Sequence, residues 1–293
     1  MRFALPSTSS FPVRVTVNSE RVGSRQNFGR AVAACSGGLI ALCDQDDVWV
    51  PGKLRLLEAA MSDAPDAILA FSDADVVDER LEPLGFSLWD HLGIDDSLRG
   101  LVRQGEAFPR LLVANFVTGS TVMFRADLRS CLPIPADLPF TEHDGWLALG
   151  ASVTGGIVPV AEKLIAYRQH SDQQIGVGPG RRMPPGASTP RHLPIDEAIR
   201  VLSALTRRLE EAPLAPAGGD RAWMLTDRLA HYRFRTGLPD SPARRVFAVG
   251  RELRTRRYAR YSRGLRSAAK DMVLGAPRDS AAAGPSHHRR VAP

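Results

Sequence analysis

Cysteine is scarce. Cys35, Cys43 and Cys131 are the three in 293 residues, odd in number and without a CxxC spacing, so neither a disulfide framework nor a zinc site is suggested. They read as small packing residues. Long hydrophobic runs are lacking too: no stretch reaches the roughly 18 consecutive apolar residues of a spanning helix. The N-terminal "MRFALPSTSSFPVRV" has no apolar core long enough for a secretory signal, so a cytoplasmic location is expected. Internal repeats are also missing. What is present, 44% hydrophobic and 24% charged residues, is a globular composition with enough chain for one large domain or two ordinary ones.

The formal charge of +6 is unevenly placed. Arg244 to Lys270 carries a net +9, which leaves −3 for the remainder. The basic character therefore belongs to a C-terminal segment able to touch an anionic surface, while the rest resembles an ordinary, slightly acidic enzyme. No recognised nucleic-acid motif accompanies the arginines, and nucleic acid is not an expected partner.

From Val13 to about Gln169, apolar strand-like runs alternate with helical ones, which predicts an α/β layer structure. "VRVTV" (Val13 to Val17) reads as a strand. Asn27 is a plausible N-cap for "FGRAVAAC", "GLIALC" reads as a buried strand, and Pro51 fits the first position of the helix "PGKLRLLEAAM". "AILAF" is a further strand followed by Asp73 and Asp75, read as strand-end solvated charge or acceptor-side structure. "STVMF" is another strand, and "EHDGWLALGASV" a helix beginning near Glu142. The Gly/Pro-rich residues 177–194 read as a linker and residues 195–275 as a helical basic region. The last residues, 276–293, have the composition of a disordered tail. Within Arg244–Lys270 and just beyond it, Val246, Val249, Leu253, Arg257, Tyr261, Leu265, Ala268 and Met272 fall near one helical face, with most arginines elsewhere.

Asp44, Asp46 and Asp47 crowd the end of the strand "GLIALC". Carboxylates there repel one another and lose hydration, so they persist if a cation is shared among them, and oxygen ligands favour Mg²⁺ or Mn²⁺. An acidic turn capping the following helix accounts for the same spacing. Open α/β sheets bind ligands beyond the carboxyl ends of their strands, which is where these acids fall.

Five blocks in order, "NFGRAVAACSGGLIALCDQDDVW", "FSDADVVDERLEPLG", "ANFVTGSTVMFR", "HDGWLALGAS" and "LIAYRQHSDQQIG", resemble family 2 glycosyltransferases, in particular their rhamnosyltransferase-like branch. The resemblance spans roughly Val13 to Gly176. It implies a GT-A (Rossmann-like) mixed sheet in residues 1–176 and transfer of a sugar from a nucleoside diphosphate donor, with dTDP-rhamnose weakly suggested. The acceptor would be a glycan or polyprenyl-linked molecule of cell-surface polysaccharide synthesis. Asp44 and Asp46 would hold donor ribose and the metal, with Asp47 in support. Asp144 in "HDGW" matches the family's acid near the acceptor and would be the general base of an inverting transfer; a plain helix N-terminal carboxylate is the rival reading.

His170 in "YRQH" would complete the metal site or touch the diphosphate, or else be structural. Arg168 and Gln169 would meet phosphate oxygens. Asn27, Gly119 and Trp146 are further substrate-binding candidates, Gly119 because a missing side chain lets substrate approach the backbone, although a tight strand start explains it equally. Trp49 is read as core. Family members open with two strands and a helix that cradle the nucleotide base, and this sequence enters at the third strand, so an N-terminally truncated sheet is expected. A catalytically inactive binding or scaffold protein is the alternative. The basic segment suggests peripheral contact with the inner face of the membrane, or a solvated helix packed on the catalytic domain.

Overall fold

The computed structural model describes residues 11–112, 114–131, 134–135, 138, 142–170, 194–211 and 222–277. The expected linker up to residue 193, the tail from residue 278 and the "SDQQIG" end of the fifth block lie outside the described residues. The strands are β1 (Leu39–Ala41), β2 (Val48–Trp49), β3 (Ala67–Val77), β4 (Pro83–Ser87), β5 (Val122–Arg125) and β6 (Gly156–Arg168). The helices are α1 (Gly23–Ala33), α2 (Lys53–Asp63), α3 (Leu88–Leu92), α4 (Asp96–Arg103), α5 (Ala107–Leu111), α6 (His143–Thr154), α7 (Ile195–Glu211), α8 (Ala222–Thr236), α9 (Pro242–Leu253), α10 (Arg257–Tyr261) and α11 (Leu265–Leu274).

The sheet is mixed, in the order β1-β5-β3-β6-β2, with β4 pairing the outer part of β3. β3 is its centre. It lies parallel to β6 and antiparallel to β5, and "AILAFSDADVV" is buried along nearly all its length, as a strand covered on both faces must be. The period of two assigns the faces. Leu69 and Phe71 join a large cluster with Trp146, Leu147, Val201, Leu205, Leu225 and Leu229, while Ala70 meets Leu57 and Met61 of α2 on the other side. α7 and α8 thus share the core of the α/β layers, and the α/β expectation holds with a helical region following the sheet.

Several local expectations give way. "VRVTV" forms no strand: Val13, Val15 and Val17 are exposed, and the segment is held instead by Arg14, whose guanidinium donates to the Ala34 carbonyl at the end of α1 (2.9 Å). Asn27 is not an N-cap, because α1 begins four residues earlier; its side chain accepts from Asn18 on the exposed surface (2.8 Å). Pro51 sits in the turn before α2 rather than in its first position. Gly52 follows at φ +89°, a left-handed turn suited to glycine that redirects the chain from β2 into the helix. Asp73 is not solvated either. It lies within β3, buried, accepting from the backbone N–H groups of Ala74 (2.8 Å) and Trp89 (2.9 Å), and so anchors α3 to the sheet. Asp75 pairs with Lys163 across the strands (2.7 Å).

Candidate active site

Two strand pairings build the site. β2 runs antiparallel to the outer part of β6, with Val48 opposite Ala166 and Trp49 opposite Ile165, so the acids that precede β2 lie beside the residues that end β6. The Arg168 backbone N–H donates to Asp47 Oδ1 (3.0 Å), and His170 Nε2 meets Asp46 Oδ2 (2.9 Å). Gln169 donates its backbone N–H to the Val77 carbonyl (2.8 Å), fixing the turn that presents Arg168 and His170. DQDD and YRQH, some 120 positions apart in sequence, thus form one wall.

The wall is electrostatically loaded. Asp44 is pushed up to about 6, first by burial and then by repulsion from Asp47, Asp46 and Asp144. Asp47 is also raised by burial, an effect that the Arg168 N–H opposes. Among the described residues a lysine stands against these acids. Lys53, at the start of α2, is 1% exposed; its Nζ donates to the Ser120 carbonyl (2.5 Å) and lies 4.1 Å from the centre of the Trp49 ring. Burial lowers its pKa to about 8, while Cys43, Asp47 and Asp44 favour its charged form.

Asp144 closes the site from the opposite layer. It stands in the first turn of α6. Its Oδ2 accepts from the Gly119 N–H (3.1 Å) and its Oδ1 from Gly145 N–H (2.6 Å) and the Asn115 amide (3.1 Å). Asn115 is itself locked by two bonds to Val117. Burial outweighs these donors and raises Asp144 to about 6, so near neutral pH it is largely ionised yet more basic than an ordinary carboxylate. Asp144 adds a smaller repulsion to those that Asp47 and Asp46 exert on Asp44.

The remaining candidates divide. Trp146 is fully buried, its Nε1 donating to the Cys131 carbonyl (2.7 Å), so it packs the core and offers no face to a sugar. The space at Gly119 is used by protein: a Cβ there would come within 2.7 Å of His143 Nε2. Asn27 makes no described contact with these acids. Trp49 is half-buried and packs against the cluster of Ala74, Val76, Leu88 and Ile165.

Three residues of this wall carried no role in the sequence reading. Lys53 was visible as a lysine six positions after Asp47. Asn115 stands in the third block. His143, stacked on Phe28 (3.9 Å), is held neutral by burial at about 4, and among the described residues neither ring nitrogen has a hydrogen-bond partner.

Residues 4–128, less than half of the chain, match the sequence profile of the family described as Glycosyl transferase family 2. That segment is similar to family 2 glycosyltransferases, and the curled mixed sheet followed by helices is consistent with a GT-A-like fold. The uncharacterized proteins Rv1520 and MT1570 of two Mycobacterium tuberculosis strains and Mb1547 of Mycobacterium bovis are each 25% identical to this chain over 165 residues. The match covers 54% of this chain and 42% of theirs, so the chain spans less than half the length of the relatives it matches. Asp44, Asp46, Asp47 and Lys53 fall inside the profile, whereas Asp144 and His170 lie beyond it.

Among the described residues no three acidic, histidine or cysteine side chains converge as a ready-made chelate. The donor set still fits a hard divalent ion, because Asp46 and His170 stand together beside crowded, destabilised carboxylates. Such ions are commonly held by one or two protein ligands plus substrate phosphates.

Proposed function

We propose that this protein is a metal-dependent, inverting glycosyltransferase of family 2 that moves a sugar from a nucleoside diphosphate donor to a glycan or polyprenyl-linked acceptor in cell-surface polysaccharide synthesis. It works at the cytoplasmic face of the membrane, with dTDP-rhamnose as the first donor to test. The observation that carries this reading is the meeting of Asp46 with His170 at the outer ends of the strands.

Asp144 takes the proton of the acceptor hydroxyl as its oxygen bonds to the anomeric carbon. The bond from that carbon to the donor phosphate oxygen breaks, and the nucleoside diphosphate departs with the electron pair. The three N–H donors on Asp144 hold it in place, and its raised pKa suits a base that works near neutral pH. Asp46 and His170 would hold Mg²⁺ or Mn²⁺, which when bound stabilises the charge that grows on the leaving diphosphate. Arg168 and Gln169 lie beside them for the phosphates, and Asp44 faces the donor ribose. Lys53 keeps the repelling carboxylates together from below.

The test is release of nucleoside diphosphate from a panel of dTDP- and UDP-sugars with Mn²⁺, with and without lipid-linked glycan acceptors. Release that requires acceptor and is lost in Asp144→Asn supports the reading. A folded protein that binds no nucleotide sugar in the panel contradicts it and leaves a non-catalytic binding protein.

A further inference from the structure

The apolar stripe read along the basic C-terminal segment is mostly not a free surface. Val249, Tyr258 and Ala268 are buried, and Leu253 and Met272 pack against them together with Phe234, Leu238 and Ala276. The segment also breaks into three helices rather than running as one, with Arg256 in a left-handed turn at φ +59°. Its inner face is occupied by the protein's own core.

A different apolar set points outward. On α11, Leu265 (76% exposed), Ala269 and Val273 (73%) follow at spacings of four, and Leu274 (70%) ends the adjoining row behind Arg266 and Lys270. α9 packs beside α11, tied to its end by Arg245, which donates to the carbonyls of Met272 (3.2 Å) and Val273 (3.3 Å). From α9, Phe247 (76% exposed) and Val246 are outward as well. Five large apolar side chains are therefore exposed on two neighbouring helices.

Within α9, α10 and α11 the surface charges are of one sign, with exposed Asp240 standing two residues ahead of α9. Between Pro242 and Pro277 the acids are Glu252 and Asp271, both buried and engaged: Glu252 with His231 and Arg257, Asp271 with Arg235 and the Tyr258 hydroxyl. Arg257 and Arg260 are satisfied by Asp227. Arg244, Arg251, Arg254, Arg256, Arg263, Arg266 and Lys270 remain exposed, with no acid of the segment left at the surface.

We propose that this outer surface of α9 and α11 seats the protein on an anionic lipid bilayer. Phe247, Leu265, Val273 and Leu274 enter the interfacial layer, and the flanking arginines and Lys270 snorkel to the headgroup phosphates. Charge chooses this occupant. A second copy docked on the same patch would bring two strongly cationic surfaces face to face, whereas an anionic leaflet complements the charge and accepts the apolar side chains together. The seat would hold the site near a membrane-borne acceptor; only that consequence rests on the transferase reading.

Vesicle co-sedimentation tests it, using phosphatidylcholine vesicles with and without about 30% phosphatidylglycerol and no glycan acceptor, so the outcome does not depend on transfer activity. Wild type is expected to sediment with the anionic vesicles, to stay in solution with the neutral ones, and to be released by high salt. Arg266→Gln with Lys270→Gln should weaken binding about 25-fold, at roughly fivefold per charge. Phe247→Ser with Leu265→Ser and Val273→Ser should weaken it by at least about tenfold while salt sensitivity persists. Unchanged circular dichroism and melting temperature certify that these surface variants are folded. The proposal is overturned if folded wild type ignores anionic vesicles, if the apolar variant binds as well as wild type, or if light scattering shows a wild-type dimer that the apolar variant dissolves.

Discussion

Replacing Asp44 with asparagine should make the metal-free protein more stable while removing its function. The folded environment raises the Asp44 carboxyl from 3.8 to about 6, chiefly by burial and then by repulsion from Asp47, Asp46 and Asp144. An acid whose folded pKa is raised holds its proton more tightly in the native state than in the unfolded one. Stability therefore falls as pH climbs from about 4 to about 6 and carries the full penalty above that window. Two pK units correspond to about 3 kcal/mol as a ceiling. Asp44 keeps contact with water, and screening reduces the figure to about 1–2 kcal/mol. Asp44→Asn removes the charge at nearly constant shape. Its melting temperature should exceed that of wild type by about 2–6 °C at pH 8 and match it at pH 3.5 to 4. Differential scanning calorimetry at both pH values, in chelator, reads this directly. Adding Mn²⁺ with a nucleoside diphosphate should raise the wild-type melting point and leave the variant almost unmoved. An Asp44→Asn protein that melts at or below the wild-type temperature at pH 8 would refute the account of a strained carboxylate wall.

Asp144→Asn should lower the transfer rate by about 10²- to 10⁴-fold, and wild-type kcat/KM should rise with pH through a midpoint near 6, a limb that the variant's residual rate lacks. Lys53→Met should destabilise the fold by about 1–3 kcal/mol in urea titrations at pH 7, because the Ser120 carbonyl loses its donor. The loss should shrink at pH 4, where Asp44 is protonated. Trp146→Phe should cost about 1–3 kcal/mol of stability, because the Cys131 carbonyl loses its donor, while calorimetric nucleotide affinity stays at the wild-type value.

The parts of this structure that were legible in the sequence are those encoded locally. A buried run between turn residues sufficed for β3, and α6 begins where "EHDGW" places an acidic first turn. The acids of DQDD stood out because three carboxylates after an apolar strand need an explanation. Long-range pairing supplied the rest. Only the antiparallel register of β2 on β6 brings His170 to Asp46. Lys53 was passed over because a lysine on a surface helix is ordinarily solvated, and nothing local shows that it turns under Trp49 toward Ser120. Trp146 shows the opposite failure: its place beside Asp144 in "HDGW" made it a substrate-binding candidate, yet its position on α6 places it in the centre of the core. In the basic segment, periodicity identified an apolar face without saying what it meets, and for Val249, Leu253 and Ala268 the answer is the protein itself.

The central claim is that one wall of Asp44, Asp46 and His170 takes a divalent ion together with a nucleoside diphosphate. Calorimetric titration of UDP and dTDP into the protein with and without Mn²⁺, beside an Asp46→Ala copy of equal folded content, tests it most directly. The account predicts nucleotide binding that requires the metal and disappears in the variant. Binding that is indifferent to Mn²⁺, or that survives loss of the Asp46 carboxylate, would contradict it.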